Sequence, residues 1–114
     1  MSFKKSIKPI TATSYDTATL GAPYQVINVT GLPYTCTRVR VINGSSIGVT
    51  FSFDGAIAHD YLPAGTVLDL SFFNTDSTGI YNPLLKKGQK FYISSAVGAG
   101  VGRVYVCGYY QESL

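Results

Sequence analysis

From Arg38 to Gly55 the chain reads Arg-Val-Arg-Val-Ile-Asn-Gly-Ser-Ser-Ile-Gly-Val-Thr-Phe-Ser-Phe-Asp-Gly. The stretch reads as two β-strands and the turn between them. In the first, Val39 and Val41 share one face, while Arg38, Arg40 and Ile42 share the other. In the second, Val49, Phe51 and Phe53 alternate with Thr50, Ser52 and Asp54. This is the period-two pattern of half-buried strands built from β-branched and aromatic residues. Asn43-Gly44 supplies φ > 0 at low cost, so a hairpin reversing there is predicted. The five residues from Gly44 to Gly48 exceed a two-residue turn and predict a longer loop or a bulge. Asp54-Gly55 marks the next reversal.

Outward from this stretch the same signals recur. Gly21-Ala22-Pro23 and Gly31-Leu32-Pro33 bound a strand at Tyr24 to Val29, and Pro63-Ala64-Gly65 turns the chain into another at Thr66 to Phe73. There Leu68, Leu70 and Phe72 face inward, and Asp69 and Ser71 outward. Phe91 to Ser95 is a further strand, and the glycines at 98, 100 and 102 lead into the last, Arg103 to Tyr110. That strand is apolar on both faces, with Val104 and Val106 opposite Tyr105, Cys107 and Tyr109. It belongs in the middle of a sheet or under a partner. The expected core includes Val39, Val41, Phe51, Phe53, Leu70, Val104 and Val106. Six to eight short strands predict an all-β, two-sheet β-sandwich of jelly-roll-like topology, with a barrel as the alternative.

Residues 1–20 lack clean periodicity and read as an extended N-terminal arm, with a short strand near Ile7 to Thr11. Residues 21–114 form a single β-sandwich domain. Asn74 to Lys90 has no alternation and reads as a surface loop anchored by Ile80, Tyr81, Leu84 and Leu85.

Composition agrees. Helix formers are few, while nine Tyr, six Phe and twelve Gly favour strands and tight turns. A net charge of +3 does not by itself imply nucleic acid. Sparse charge with many Tyr suits a surface that contacts protein. No apolar run is long enough for a membrane helix, and no apolar segment follows the first lysines as in a signal peptide. A cytoplasmic protein with reduced Cys36 and Cys107 is expected, in which Asn28-Val29-Thr30 and Asn43-Gly44-Ser45 carry no glycan.

Residues that could carry chemistry are few. His59 is the one histidine, and with Asp60 it makes a pair without a nucleophile turn. A Cys36–His59 pair is the weaker reading beside a loop histidine and an inert strand cysteine. Asp54 and Asp76 sit in turns, where an aspartate bonds its own backbone. Two cysteines and one histidine fall short of a zinc site. No helix follows the glycines at 98–102, so a phosphate site is not indicated. No enzyme, metal or cofactor is expected.

The passage ending Val-Thr-Phe-Ser-Phe-Asp-Gly, then His-Asp-Tyr-Leu-Pro-Ala-Gly-Thr, then Lys-Gly-Gln-Lys-Phe-Tyr-Ile and Gly-Arg-Val-Tyr-Val-Cys-Gly-Tyr-Tyr-Gln, resembles small virion proteins of tailed bacteriophages. The likeness spans roughly residues 36 to 111 and consists of turn and strand residues. It implies a capsid decoration (cement) protein on the virion's capsid surface, assembled in the host cytoplasm. Its partners would be the major capsid protein and copies of itself, as a dimer or trimer, with neither nucleic acid nor membrane. Apolar and basic residues outside the alternating strands are the expected contacts: Phe3, Lys4, Lys5, Ile7 and Lys8 in the arm, and Tyr81, Leu84, Lys86 and Lys87 in the long loop. A carbohydrate-binding module, or another small head or tail component, is the alternative.

Overall fold

The structure, a computed structural model, describes residues 5–71 and 85–113. The described chain is all-β apart from one 3₁₀ turn at Thr17–Thr19. Its strands are β1 (Lys5–Pro9), β2 (Thr13–Asp16), β3 (Gln25–Val26), β4 (Arg38–Asn43), β5 (Val49–Ser52), β6 (Asp60–Leu62), β7 (Val67–Ser71), β8 (Tyr92–Ser94) and β9 (Arg103–Ser113). They form two antiparallel sheets. The larger runs β1-β9-β4-β7, with β2 also on β9, and the smaller runs β3-β8-β5-β6.

One core joins the sheets. Val39, Val41, Val104 and Val106 come from the larger sheet, and Val49, Phe51, Leu62 and Ile93 from the smaller. Phe53 and Leu70 are only partly buried against it. Phe51 lies at its centre, edge-on to Phe53 (centroids 5.0 Å apart) and roughly parallel to Phe91 (5.8 Å).

The expected hairpin is corrected. β4 pairs with β7 and β9, whereas β5 pairs with β6 and β8. The two strands therefore face each other across the core, and the loop after Asn43 crosses between sheets. Neither Asn43 nor Gly44 has positive φ. Asn43 is fully buried instead, its amide donating to the carbonyls of Ile47 (2.9 Å), Leu62 (3.0 Å) and Pro63 (3.3 Å). Its Oδ1 accepts from the Ser45 amide and hydroxyl. One side chain thus ties the β4–β5 loop to the turn after β6. At that turn Thr66 N–H donates to Pro63 O (3.2 Å), and Gly65 at φ 75° supplies the left-handed residue of a type II turn.

Residues 5–16 were expected as an arm, yet both of their strands pair with β9. Four steps separate Pro9 from Thr13, while three separate their partners Tyr109 and Val106. The extra residue is a β-bulge, which reverses the phase of alternation. Ile7 and Pro9 therefore share the outer face with Tyr109, whereas Thr13 and Tyr15 lie across from the inward Val106 and Val104. Deleting residues 1–13 would remove β1 and bare part of one edge of β9.

Candidate partner-binding site

β9 outruns its neighbour. Its ladder with β4 stops at Tyr109, opposite Arg38, while β1 continues beside it to Ser113. Residues 5–8 and 110–113 thus form a two-stranded ribbon past the end of β4. Such a ribbon is marginal alone and needs an anchor. Tyr34 supplies one by stacking on Tyr110, with centroids 3.9 Å apart and planes 12° apart.

Behind Tyr34 lies the segment that carries Lys86 and Lys87. Thr35 Oγ1 accepts from the Lys87 amide (3.2 Å), and Cys36 N–H donates to Leu85 O (2.8 Å). Asn28, also buried, accepts from the Phe91 amide (2.7 Å) and donates to Gln89 O (3.0 Å). Lys86 and Lys87 are exposed. Lys8 sits opposite Tyr110 in the ribbon and Lys87 lies beside Thr35, so the Tyr34–Tyr110 stack links the two basic segments. Ile7, 57% exposed, points to the ribbon's other face. The Lys5 backbone pairs with Ser113. Phe3, Lys4, Tyr81 and Leu84 lie outside the described residues, as do Phe72, Asp76 and Ile80. Tyr34 and Tyr110 were missed as part of this site. Tyr34 follows a Gly-Leu-Pro turn where no periodicity marks it.

Replacing Tyr34 with alanine should loosen the ribbon, at a cost of about 0.5–1.5 kcal/mol for the lost ring pair plus its buried area. Faster amide hydrogen exchange confined to residues 5–8 and 110–113 would show it. Unchanged exchange there would mean the stack anchors nothing.

The groups considered for chemistry hold local backbone. His59 Nδ1 accepts from Phe53 N–H (3.1 Å), and Asp60 Oδ1 accepts from Tyr61 N–H (2.8 Å). Asp54 accepts from the Ile57 and Ala56 amides and the Ser52 hydroxyl, which together pull its pKa down to about 2. Cys36 is buried, which pushes its thiol up to about 11, and both cysteines are free. No group of three or more His, Cys, Asp or Glu side chains that could hold a metal occurs among the described residues. Among them, too, no helix is long and apolar enough to cross a membrane.

The Asp54 contacts set a pH dependence. Its folded pKa lies below the unfolded value, so the stabilisation is complete above about pH 4. It is lost as pH falls through about 2. Asp54→Asn should therefore flatten the fall in stability between pH 5 and pH 2, measured by urea titration at each pH. An unchanged slope would remove Asp54 as a source.

On the outer face of the larger sheet Arg38 forks onto Asp69, Nε to Oδ1 at 3.1 Å and Nη2 to Oδ2. This hydrogen bond is the main reason the Asp69 carboxyl titrates below its usual range. The pair is half exposed and stabilises little. Arg40 beside it has a buried Nε–H without a hydrogen-bond partner. A donor left so costs about 1–3 kcal/mol.

No protein-family model, curated protein or solved structure matches this chain.

Proposed function

We propose that this chain is a non-enzymatic virion protein that attaches to the assembled capsid of a tailed bacteriophage. There it bridges neighbouring copies of the major capsid protein as a decoration (cement) protein. The observation that carries the reading is the ribbon end. β1 and β9 run past the sandwich, and the Tyr34–Tyr110 stack links Lys8 on β1 to the segment that carries Lys86 and Lys87. A basic and aromatic end suits adhesion to a repeating protein surface, where many weak attachments add through avidity. Self-association into dimers or trimers at the symmetry axes of the shell belongs to the same reading.

The strand order supports it at the level of fold. The order β9-β4-β7 with β2 also on β9, beside β3-β8-β5-β6 in the other sheet, supports a jelly roll, an architecture used in viral shells. Fold alone does not carry function. The resemblance of residues 36–111 to small phage virion proteins points the same way.

The test is co-sedimentation of the purified chain with undecorated heads of its own phage. Saturable binding is expected, somewhat weaker in added salt because lysines face acidic shell surface. A Lys86→Glu, Lys87→Glu double variant should bind several-fold more weakly. Heads that leave the chain in the supernatant would refute attachment. Equal binding by the double variant would move the contact elsewhere.

A second reading, a carbohydrate-binding face, is favoured by one row of the smaller sheet. Ser94, Thr50 and Tyr61 lie side by side there, and Tyr61 is 59% exposed. A sugar could stack on that ring and bond the Thr50 hydroxyl beside it. Retardation in gels containing bacterial polysaccharide, abolished by Tyr61→Ala, would support it.

A further inference from the structure

All three arginines of the chain lie on the outer face of the larger sheet, but they are not equivalent. Arg38 holds Asp69, while Arg103 reaches Asp16 (3.5 Å) and the Ser14 hydroxyl (2.8 Å). Arg40 stands between Cys107 and Asp69 in the ladder, and both oxygens of Asp69 are engaged by Arg38. Among the described residues nothing accepts a hydrogen bond from Arg40, and its Nε–H is shut off from water. The centre of the face is thus a guanidinium with an unused donor, whose facing carboxylate among the described residues, Asp69, is hydrogen-bonded to Arg38 instead.

The surroundings of Arg40 are apolar. One register step away, Tyr105, Ile42 and Val67 form a row across β9, β4 and β7, with Tyr105 38% and Val67 51% exposed. A guanidinium with an unused donor beside tyrosine and aliphatic side chains is the composition of a protein-binding hot spot. It also sits on a rigid central strand, where a bidentate partner finds it preorganised.

We infer that this face docks a protein segment that presents one carboxylate to Arg40 and lays apolar side chains on the Tyr105–Ile42–Val67 row. Charge complementarity sets the acidic residue, and the row sets its apolar flanks. A polyanion such as a nucleic acid is disfavoured, because Asp69 lies across from the arginine and would repel successive phosphates. The inference does not rest on the virion reading, since it concerns a different surface and names only the partner's chemistry.

The test uses the full chain, ¹⁵N-labelled and titrated with the capped peptide acetyl-Leu-Val-Glu-Leu-Val-amide. Saturable shifts are expected at the amides of Arg40, Ile42, Val67 and Tyr105. Replacing the peptide's Glu by Gln, or Arg40→Gln in the protein, should weaken binding by about tenfold. Val67→Lys keeps Arg40 but spoils the apolar row, and should weaken it as well. Arg40→Met should leave the melting temperature unchanged or raise it, because the arginine serves a partner rather than the fold. The inference is overturned if no saturable shift occurs on this face, or if the Gln peptide binds as well as the Glu peptide. A single-stranded oligothymidylate binding more tightly than the peptide would overturn it too, as would a lower melting temperature for Arg40→Met.

Discussion

Asn43→Ala is expected to lower stability by roughly 2–5 kcal/mol, because several buried groups lose partners worth about 1–3 kcal/mol each. The Asn43 amide is shared among the Ile47, Leu62 and Pro63 carbonyls, and its oxygen holds Ser45. Alanine fits the backbone, so the loss isolates the side-chain network from any strain. The β4–β5 crossover and the turn after β6 would lose their common tie, and with it the register between sheets. Urea denaturation followed by circular dichroism measures the change. A loss below about 0.5 kcal/mol, the size of an ordinary surface substitution, would show that the loops hold without it.

Phe51→Ala should cost on the order of 3–5 kcal/mol, the range for truncating a fully buried aromatic. Phe51 has no exposed surface and touches both Phe53 and Phe91, so its removal leaves a cavity bounded by rings. The neighbouring strands are held in ladders and cannot close over it. The same urea titration applies, and a near-silent result would mean that the core closes over the site.

These two residues also mark what the sequence could convey. Phe51 was legible because alternation reports which face of a strand is buried. Alternation does not say which strand lies beside it. Two strands joined by five residues fit a hairpin and a crossover equally well, and the choice fell to a buried side chain. Asn43 was read as a turn former on account of the glycine after it. Gly44 instead serves close packing, since a Cβ there would lie 3.2 Å from the Arg103 carbonyl. β9 was legible as a central strand because both its faces are apolar. The short strand expected near Ile7 to Thr11 overlaps β1, but β2 and the pairing of both with β9 were hidden by the bulge between them, which puts odd residues outward before it and inward after it. Of the candidate contacts, Lys86 and Lys87 were recognised as a cluster. Their link to Lys8 depends on the pairing of β1 with the far end of β9, more than a hundred residues away in the chain.

The Arg38–Asp69 and Arg103–Asp16 pairs share this face with Arg40, whose facing carboxylate, Asp69, is bonded to Arg38. This arrangement separates the outer face from the ribbon end as two surfaces with different chemistry. The first is suited to a single acidic anchor with apolar flanks, and the second to a broad basic contact.

The proposed function requires the ribbon end to seat the chain on an assembled shell. A cryo-EM reconstruction of the virion carrying this chain tests it most directly. The expected result is the two-sheet sandwich at fixed lattice positions on the outer surface, with residues 5–8, Lys86, Lys87 and 110–113 against the joints between capsid subunits. A shell bare of that density, or a sandwich seated with this end turned toward solvent, would contradict it.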